Sequence, residues 1–202
     1  MAGADLVHRY WLFGETDQAR GILAELNGFK DSHPKELQGW AFEQLQWANM
    51  EMHPAPFIPV LKLLGKQSSS ELIQKGHVEV ISFFSLGCGA CIQELPTLNN
   101  LQKRYRNKNL LVADVTTYKA NSYLDPPSHS RIEAALNRTR SKKAPRLTML
   151  VTSDRALANY QVVAFPVVAV IDKAGRVRYV GREIDFAEDE PVGRLLRKLL
   201  EE

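Results

Sequence analysis

Cysteine is scarce in this chain. There are two among 202 residues, at positions 88 and 91. A secreted scaffold stapled by disulfides would need more cysteines at wider spacing, so that class is excluded. Long apolar runs are missing too: the most apolar stretch, Val162 to Ile171, is interrupted by Pro166 and is only long enough for a buried strand, well short of the ~18 residues of a membrane span. The opening Met1-Ala-Gly-Ala-Asp5 lacks the apolar core of a signal peptide. Charge of one sign is also lacking, with 26 Lys and Arg against 23 Asp and Glu. The basic residues (Arg104, Lys142, Lys143, Arg146, Arg178, Arg197) are scattered rather than interleaved with aromatics, so nucleic acid is not an expected partner. The five histidines (His8, His33, His53, His77, His129) are isolated, which leaves no metal set and no expected cofactor. His77 reads as a surface residue. What remains, 45% hydrophobic and 24% charged residues, is the composition of an ordinary globular protein.

Residues 6 to 52 read as helical. Leu6, Tyr10, Trp11 and Phe13 recur at helical spacing until Gly14 breaks the pattern. Thr16 is the expected N-cap of a second helix with the stripe Ala19, Ile22, Leu23 and Leu26, ended by Asn27-Gly28. A third helix is expected to begin near Ser32, with Pro34 in its first turn, and to carry Leu37, Trp40, Ala41, Leu45 and Trp47. The turn Gly14 to Ala19 resembles that of a tetratricopeptide hairpin, but one hairpin is a weak signal where arrays need several. A helical extension packed on the main domain is the preferred reading. The stiff connector His53-Pro-Ala-Pro56 places a boundary between a helical region, residues 1–53, and a second domain, residues 54–202.

Past the connector, strands alternate with helices. Val78 to Phe84 reads as a buried strand, 89 to 106 as a helix kinked at Pro96, Leu110 to Val115 as a strand and Arg131 to Arg140 as a helix. Leu147 to Val151 is a short strand, with a helical turn expected over Ala156 to Asn159. Val167 to Ile171 and Arg176 to Val180 flank the turn Asp172-Lys-Ala-Gly175, a hairpin signal. An amphipathic helix over Leu195 to Leu200, opened by Pro191, ends the chain. The pattern predicts an α/β fold, a central mixed sheet flanked by helices.

The two cysteines form Cys88-Gly-Ala-Cys91, directly after a buried strand and at the start of a helix. A thiol there meets unpaired backbone N–H groups and the positive end of the helix dipole, which favour thiolate. A second thiol one turn on can reach the first sulfur and resolve a mixed disulfide. Zinc would need two further ligands, and haem attachment a histidine where Ile92 stands. A redox pair is the reading that fits.

The segment Cys88-Gly-Ala-Cys91-Ile-Gln-Glu94-Leu-Pro96 resembles the active-site helix of TlpA/ResA-like thiol–disulfide oxidoreductases of the thioredoxin superfamily. Tyr160 to Gly175, with Phe165-Pro166 before a strand and an Asp-x-x-Gly turn, is similar to the family's second signature. Pro54-Ala-Pro56 to Gly65-Lys66 resembles its short hairpin entry. The resemblance spans about residues 54 to 202 and implies a thioredoxin-like fold with Cys88 as nucleophile and Cys91 as resolving thiol. It further implies Glu94 as the acid that tunes them, and Pro166 as a cis-proline that docks substrate beside Phe165. It also implies protein substrates carrying disulfides or thiols, an upstream redox partner, and an extracytoplasmic setting. Independently, i to i+3 spacing sets Glu94 beside Cys91, where partial desolvation would raise its pKa; an exposed helix glutamate is the alternative.

Four departures stand out. Gly87 and Ala90 replace the usual tryptophan and proline, Phe165 is bulkier than the usual residue there, and Ser82 stands where thioredoxins proper carry a buried aspartate. The stretch from Thr117 to Ala144, with Asp125-Pro-Pro127, is longer than in a minimal thioredoxin and reads as a surface insertion. The expected function is dithiol–disulfide exchange with protein partners, as a reductase. The alternatives are a binding module with weak turnover, and a thiol peroxidase suggested by Ser85 three residues before Cys88.

Overall fold

The computed structural model describes residues 7, 9–11, 15–33, 40–64, 72, 75–123, 128–182, 185–187 and 190–202. Its elements are α1 (Thr16–Ser32), α2 (Trp40–Met50), β1 (Lys62–Leu64), β2 (Val78–Phe83), α3 (Gly89–Arg104), β3 (Leu110–Thr117), a 3-10 turn (Lys119–Asn121), α4 (His129–Lys143), β4 (Thr148–Thr152), α5 (Asp154–Asn159), β5 (Val167–Ile171), β6 (Val177–Gly181) and α6 (Pro191–Glu201). No described helix is long and apolar enough to cross a membrane.

The strands form one six-stranded mixed sheet in the order β1-β4-β3-β2-β5-β6. β2, β3 and β4 run parallel, while β1, β5 and β6 are antiparallel to their neighbours. Every residue of β2, β3, β4 and β5 is buried, as expected of strands covered on both faces. Alternation along the strands sends Val78, Val80, Phe84, Leu110 and Val112 to one face, which packs against Leu95 and Leu98 of α3, Ile132 and Leu136 of α4, and Leu195 and Leu199 of α6. It sends Ile81, Phe83, Leu111, Ala113 and Val115 to the other, with Leu157 of α5, Tyr160 and Trp47 of α2. Burying each large apolar side chain contributes about 1.5–3 kcal/mol, so these two layers hold the sheet. In the β5–β6 hairpin, the Asp172 carboxylate accepts from the Ala174 and Arg176 amides, both at 2.9 Å, and Gly175 supplies φ +78°.

The helical region is tied to the sheet along α2. The Trp47 indole is fully buried and its N–H donates to the Tyr160 carbonyl at 3.3 Å. Glu43, itself buried, accepts both Nε and Nη of Arg182 at 2.7–2.8 Å, just past β6. The chain leaving α2 then runs beside the start of β6, where the Met52 amide donates to Val177 O, Val177 N–H donates to His53 O and Ala55 N–H donates to Gly175 O. A smaller cluster of Val7, Trp11, Ala19 and Ala48 joins the N-terminal residues to α2.

Several expectations are corrected. Asn27-Gly28 does not end α1, which runs to Ser32; the Ser32 hydroxyl donates to the Gly28 and Phe29 carbonyls, and Asn27 pairs reciprocally with Asn49 of α2. Ser32 therefore closes one helix rather than opening the next. Thr16 is the first helical residue, and the cap position is Glu15. The stretch 117–144 is not a surface insertion, because α4 buries Ile132 and Leu136 in the main core. No hairpin forms over the described part of 54–66; Lys62–Leu64 instead adds to the edge of β4, and Pro54 bridges to Arg176. The expected features at Leu6, Phe13, Gly14, Pro34, Leu37, Gly65, Lys66 and Asp125-Pro-Pro127 lie outside the described residues.

Candidate active site

β2 delivers the chain to a short loop at the end of the sheet, and the loop ends at Cys88. Cys88 is the N-cap of α3 in extended conformation, and its sulfur accepts from the Cys91 amide at 3.1 Å. The two cysteines are joined as a disulfide with a Cα–Cα separation of 5.3 Å. Cys91 is 2% exposed and belongs to the core beneath α3, whereas Cys88 is only partly buried. When the disulfide opens, the Cys88 sulfur sits at a helix N-terminus whose N–H groups and dipole stabilise thiolate. Pro96 lies inside α3, beyond the turn that follows Cys91.

A second segment straps the loop in place. The Thr116 hydroxyl donates to Phe84 O at 2.7 Å, and the Ser85 hydroxyl donates to Ala120 O at 2.9 Å. Asn121, fully buried, accepts from Leu86 N–H at 2.9 Å and donates to both Thr116 Oγ1 and Thr117 O at 2.8 Å. Ser85 thus has a structural post. The absent tryptophan also has an explanation: a Cβ on Gly87 would lie 3.0–3.1 Å from the Tyr123 ring, so Tyr123 fills the space next to the loop. Sequence reasoning missed Thr116, Asn121 and Tyr123. Their one visible signal was a polar cluster straight after a buried strand.

Glu94 is half-buried on α3, one turn beyond Cys91. Pro166 is buried, the Phe165–Pro166 peptide bond is cis, and half-buried Phe165 packs against both core layers. With Phe83 registered against Val167, Pro166 is level with the start of the redox loop. The structure thus gathers Cys88, Cys91 and Glu94 on one helix and Phe165 and Pro166 at the neighbouring strand end. Beside Phe165 opens a cavity of about 540 Å³, lined by Thr117, Lys119, Asp154, Leu157, Gln161 and Val163 among others. Nearby, Tyr118 donates to Glu133 at 2.7 Å and Lys62 pairs with the same carboxylate at 3.0 Å. Burial and that carboxylate push the Tyr118 phenol up to about 12.

A residue the sequence did not single out lies under the redox helix. Asp114 is fully buried on β3, and neither carboxylate oxygen has a hydrogen-bond partner. Burial pushes its carboxyl up to about 8; the facing Ser82 hydroxyl eases ionisation, the Glu94 charge opposes it, and burial outweighs both. His77, expected at the surface, is half-buried with an unpartnered Nδ1. Among the described residues no cluster of three His, Cys, Asp or Glu is placed to hold a metal ion.

A mixed sheet covered on both faces, with a Cys-x-x-Cys disulfide capping the helix after a central strand, defines a thioredoxin-like fold of the thiol–disulfide oxidoreductase class. Solved structures agree on the fold. A thiol-disulfide isomerase from Corynebacterium glutamicum superposes with a TM-score of 0.59 at 20% identity, covering 73% of this chain and 97% of its own. A putative thiol:disulfide interchange protein DsbE from Chlorobium tepidum gives 0.56 at 19%, covering 74% and 97%. In sequence, the thioredoxin-like protein YneN of Bacillus subtilis is 26% identical over 142 residues, 70% of this chain and 72% of that protein. The Redoxin family profile matches residues 54–194, and the chain belongs to that family.

Proposed function

We propose that this protein exchanges a Cys88/Cys91 dithiol–disulfide with cysteines of protein substrates, acting as a reductase that an upstream redox partner recharges. The observation that carries the reading is the asymmetry of the two sulfurs: a partly exposed Cys88 capping α3 and a buried Cys91 one turn deeper. Cys88 thiolate attacks a substrate disulfide, and Cys91 then resolves the mixed disulfide. Glu94 handles protons beside the pair. Phe165, Pro166 and the adjoining cavity receive the substrate chain. Residues 54–202 form the redox domain and residues 1–53 a helical layer packed on it, which the buried Trp47 and the Glu43–Arg182 pair support. By family resemblance, the working compartment is extracytoplasmic.

Two experiments test this reading. The Cys91→Ser protein should trap mixed disulfides with protein substrates, and Cys88→Ser should not; equal trapping by both would reverse or abolish the assignment. The reduction potential of the pair should lie near the ~−270 mV of a reducing thioredoxin, and a value near ~−120 mV would make the protein an oxidase instead.

A further inference from the structure

We propose that Asp114 is a second carboxylate of the redox site and exchanges one proton with Cys91 in each catalytic cycle; this rests on the dithiol–disulfide reading above. Strand alternation turns Asp114, with Ser82 and Thr116, toward the face that α3 covers, where Cys91, Leu95 and Leu98 descend. Buried polar groups are normally hydrogen-bonded, and a structural aspartate would have a partner. Thr116 and Asn121 beside it are paired, while neither Asp114 oxygen makes a hydrogen bond of good geometry and the facing Ser82 hydroxyl only weakly favours its ionised form. An unpartnered carboxylate in this position is costly and calls for another role.

The surroundings define that role. Glu94 on α3 is the charged group bearing on Asp114. Ser82 faces it from β2 as a neutral hydroxyl, and Met149 is its register partner on β4. The side chains that α4 and α6 bury in this layer, among them Ile132, Leu136 and Leu195, are apolar. Glu94 and the apolar walls therefore both favour a protonated Asp114 as long as the cysteines are a disulfide. Its carboxyl, pushed up to about 8 by burial, approaches the ordinary thiol range, so proton transfer between the two groups is nearly balanced.

The cycle closes on that proton. An upstream thiolate attacks Cys88, breaks the Cys88–Cys91 bond and expels Cys91 as thiolate, which takes the Asp114 proton. A second upstream thiol, losing its proton to water, then frees Cys88 as thiolate. Two electrons now reside on the pair, and Asp114 is ionised. Cys88 thiolate next attacks a substrate disulfide and releases one substrate thiolate. Cys91 returns its proton to Asp114 and attacks Cys88, which re-forms the enzyme disulfide and releases the second substrate thiolate.

The reading predicts unusual proton stoichiometry. With Asp114 supplying the proton of Cys91, reduction near pH 7 draws almost none from solvent, and the potential of the wild-type protein changes little with pH there. The Asp114→Asn protein should steepen to one proton per two electrons and resolve mixed disulfides at least about tenfold more slowly, with attack by Cys88 unchanged. Equilibration with glutathione across pH 6–8 measures the first, and stopped-flow with a disulfide peptide the second. Identical slopes and rates in both proteins would overturn the role of Asp114 while leaving the exchange reading intact. A wild-type protein inert toward both dithiol and disulfide would fell both. Should Asp114→Asn fail to fold, the wild-type slope decides alone, since uptake of a full proton per two electrons near pH 7 overturns the proposal.

Discussion

On the face beneath α3, the C-terminal halves of β2 and β3 carry Ser82, Asp114 and Thr116. On the opposite face, the same halves carry Ile81, Phe83, Ala113 and Val115, with Thr117 at the end of β3. Both faces are fully covered, so both would be expected to read as continuous apolar runs. The apolar face is joined by Trp47, Leu157 and Tyr160 and holds the sheet together. The polar one is confined to the end where the disulfide sits. Polar groups in a dry layer cost stability, and the cluster of Ser82, Asp114 and Thr116 next to the redox helix sets that end of the face apart from the layer around Trp47 and Tyr160.

That contrast can be broken most forcefully by pH. Asp114 holds a proton up to about pH 8 when folded, against 3.8 for an ordinary carboxyl. Between those values the folded oxidised protein binds more protons than the unfolded chain. Its stability should therefore fall by up to about 1.4 kcal/mol per pH unit as pH rises through the window, with the contribution lost above about 8. Asp114→Asn should flatten the profile in urea titrations from pH 4 to 9; an equally steep mutant would mean Asp114 is not the cause. On the other face, Trp47→Ala should cost about 3–5 kcal/mol in the same titration and leave the reduction potential unmoved. A shifted potential would blur the division between the faces.

Smaller effects sharpen the picture. Arg182→Ala leaves the buried Glu43 carboxylate without its three hydrogen bonds to the guanidinium, and about 1–3 kcal/mol should be lost with no change in thiol reactivity. A neutral result by thermal unfolding would loosen the helical layer from the redox domain. Gly87→Ala should cost less than about 1 kcal/mol, because the half-exposed Tyr123 ring can yield by tenths of an ångström. A loss well above that would show Tyr123 to be firmly fixed against the loop.

Much of this architecture was readable from residues. The apolar runs of β2 and β5 and the Asp172 to Gly175 turn gave strands within a residue or two of their ends, and Cys88 to Pro96 gave the redox helix. Asp114 was not readable, because one aspartate within Leu110 to Thr117 looks like an interruption of a strand. Only its register with Ser82 puts it on the face that α3 covers. Ser82 offers a hydroxyl at its register position, and Asp114 stands opposite it on β3. The end of α1 was misplaced for a similar reason: Asn27-Gly28 is a local stop signal, but Asn27 bonds Asn49 and the helix continues. Tertiary partners outvoted the local preference.

Cys88 both caps α3 and reacts, so the first turn of that helix registers the oxidation state. A thiolate accepts the Cys91 amide more strongly than a disulfide sulfur does, so reduction should tighten the helix start and oxidation loosen it. The Cys91 amide contact is therefore where the redox state of the pair and the backbone of α3 meet.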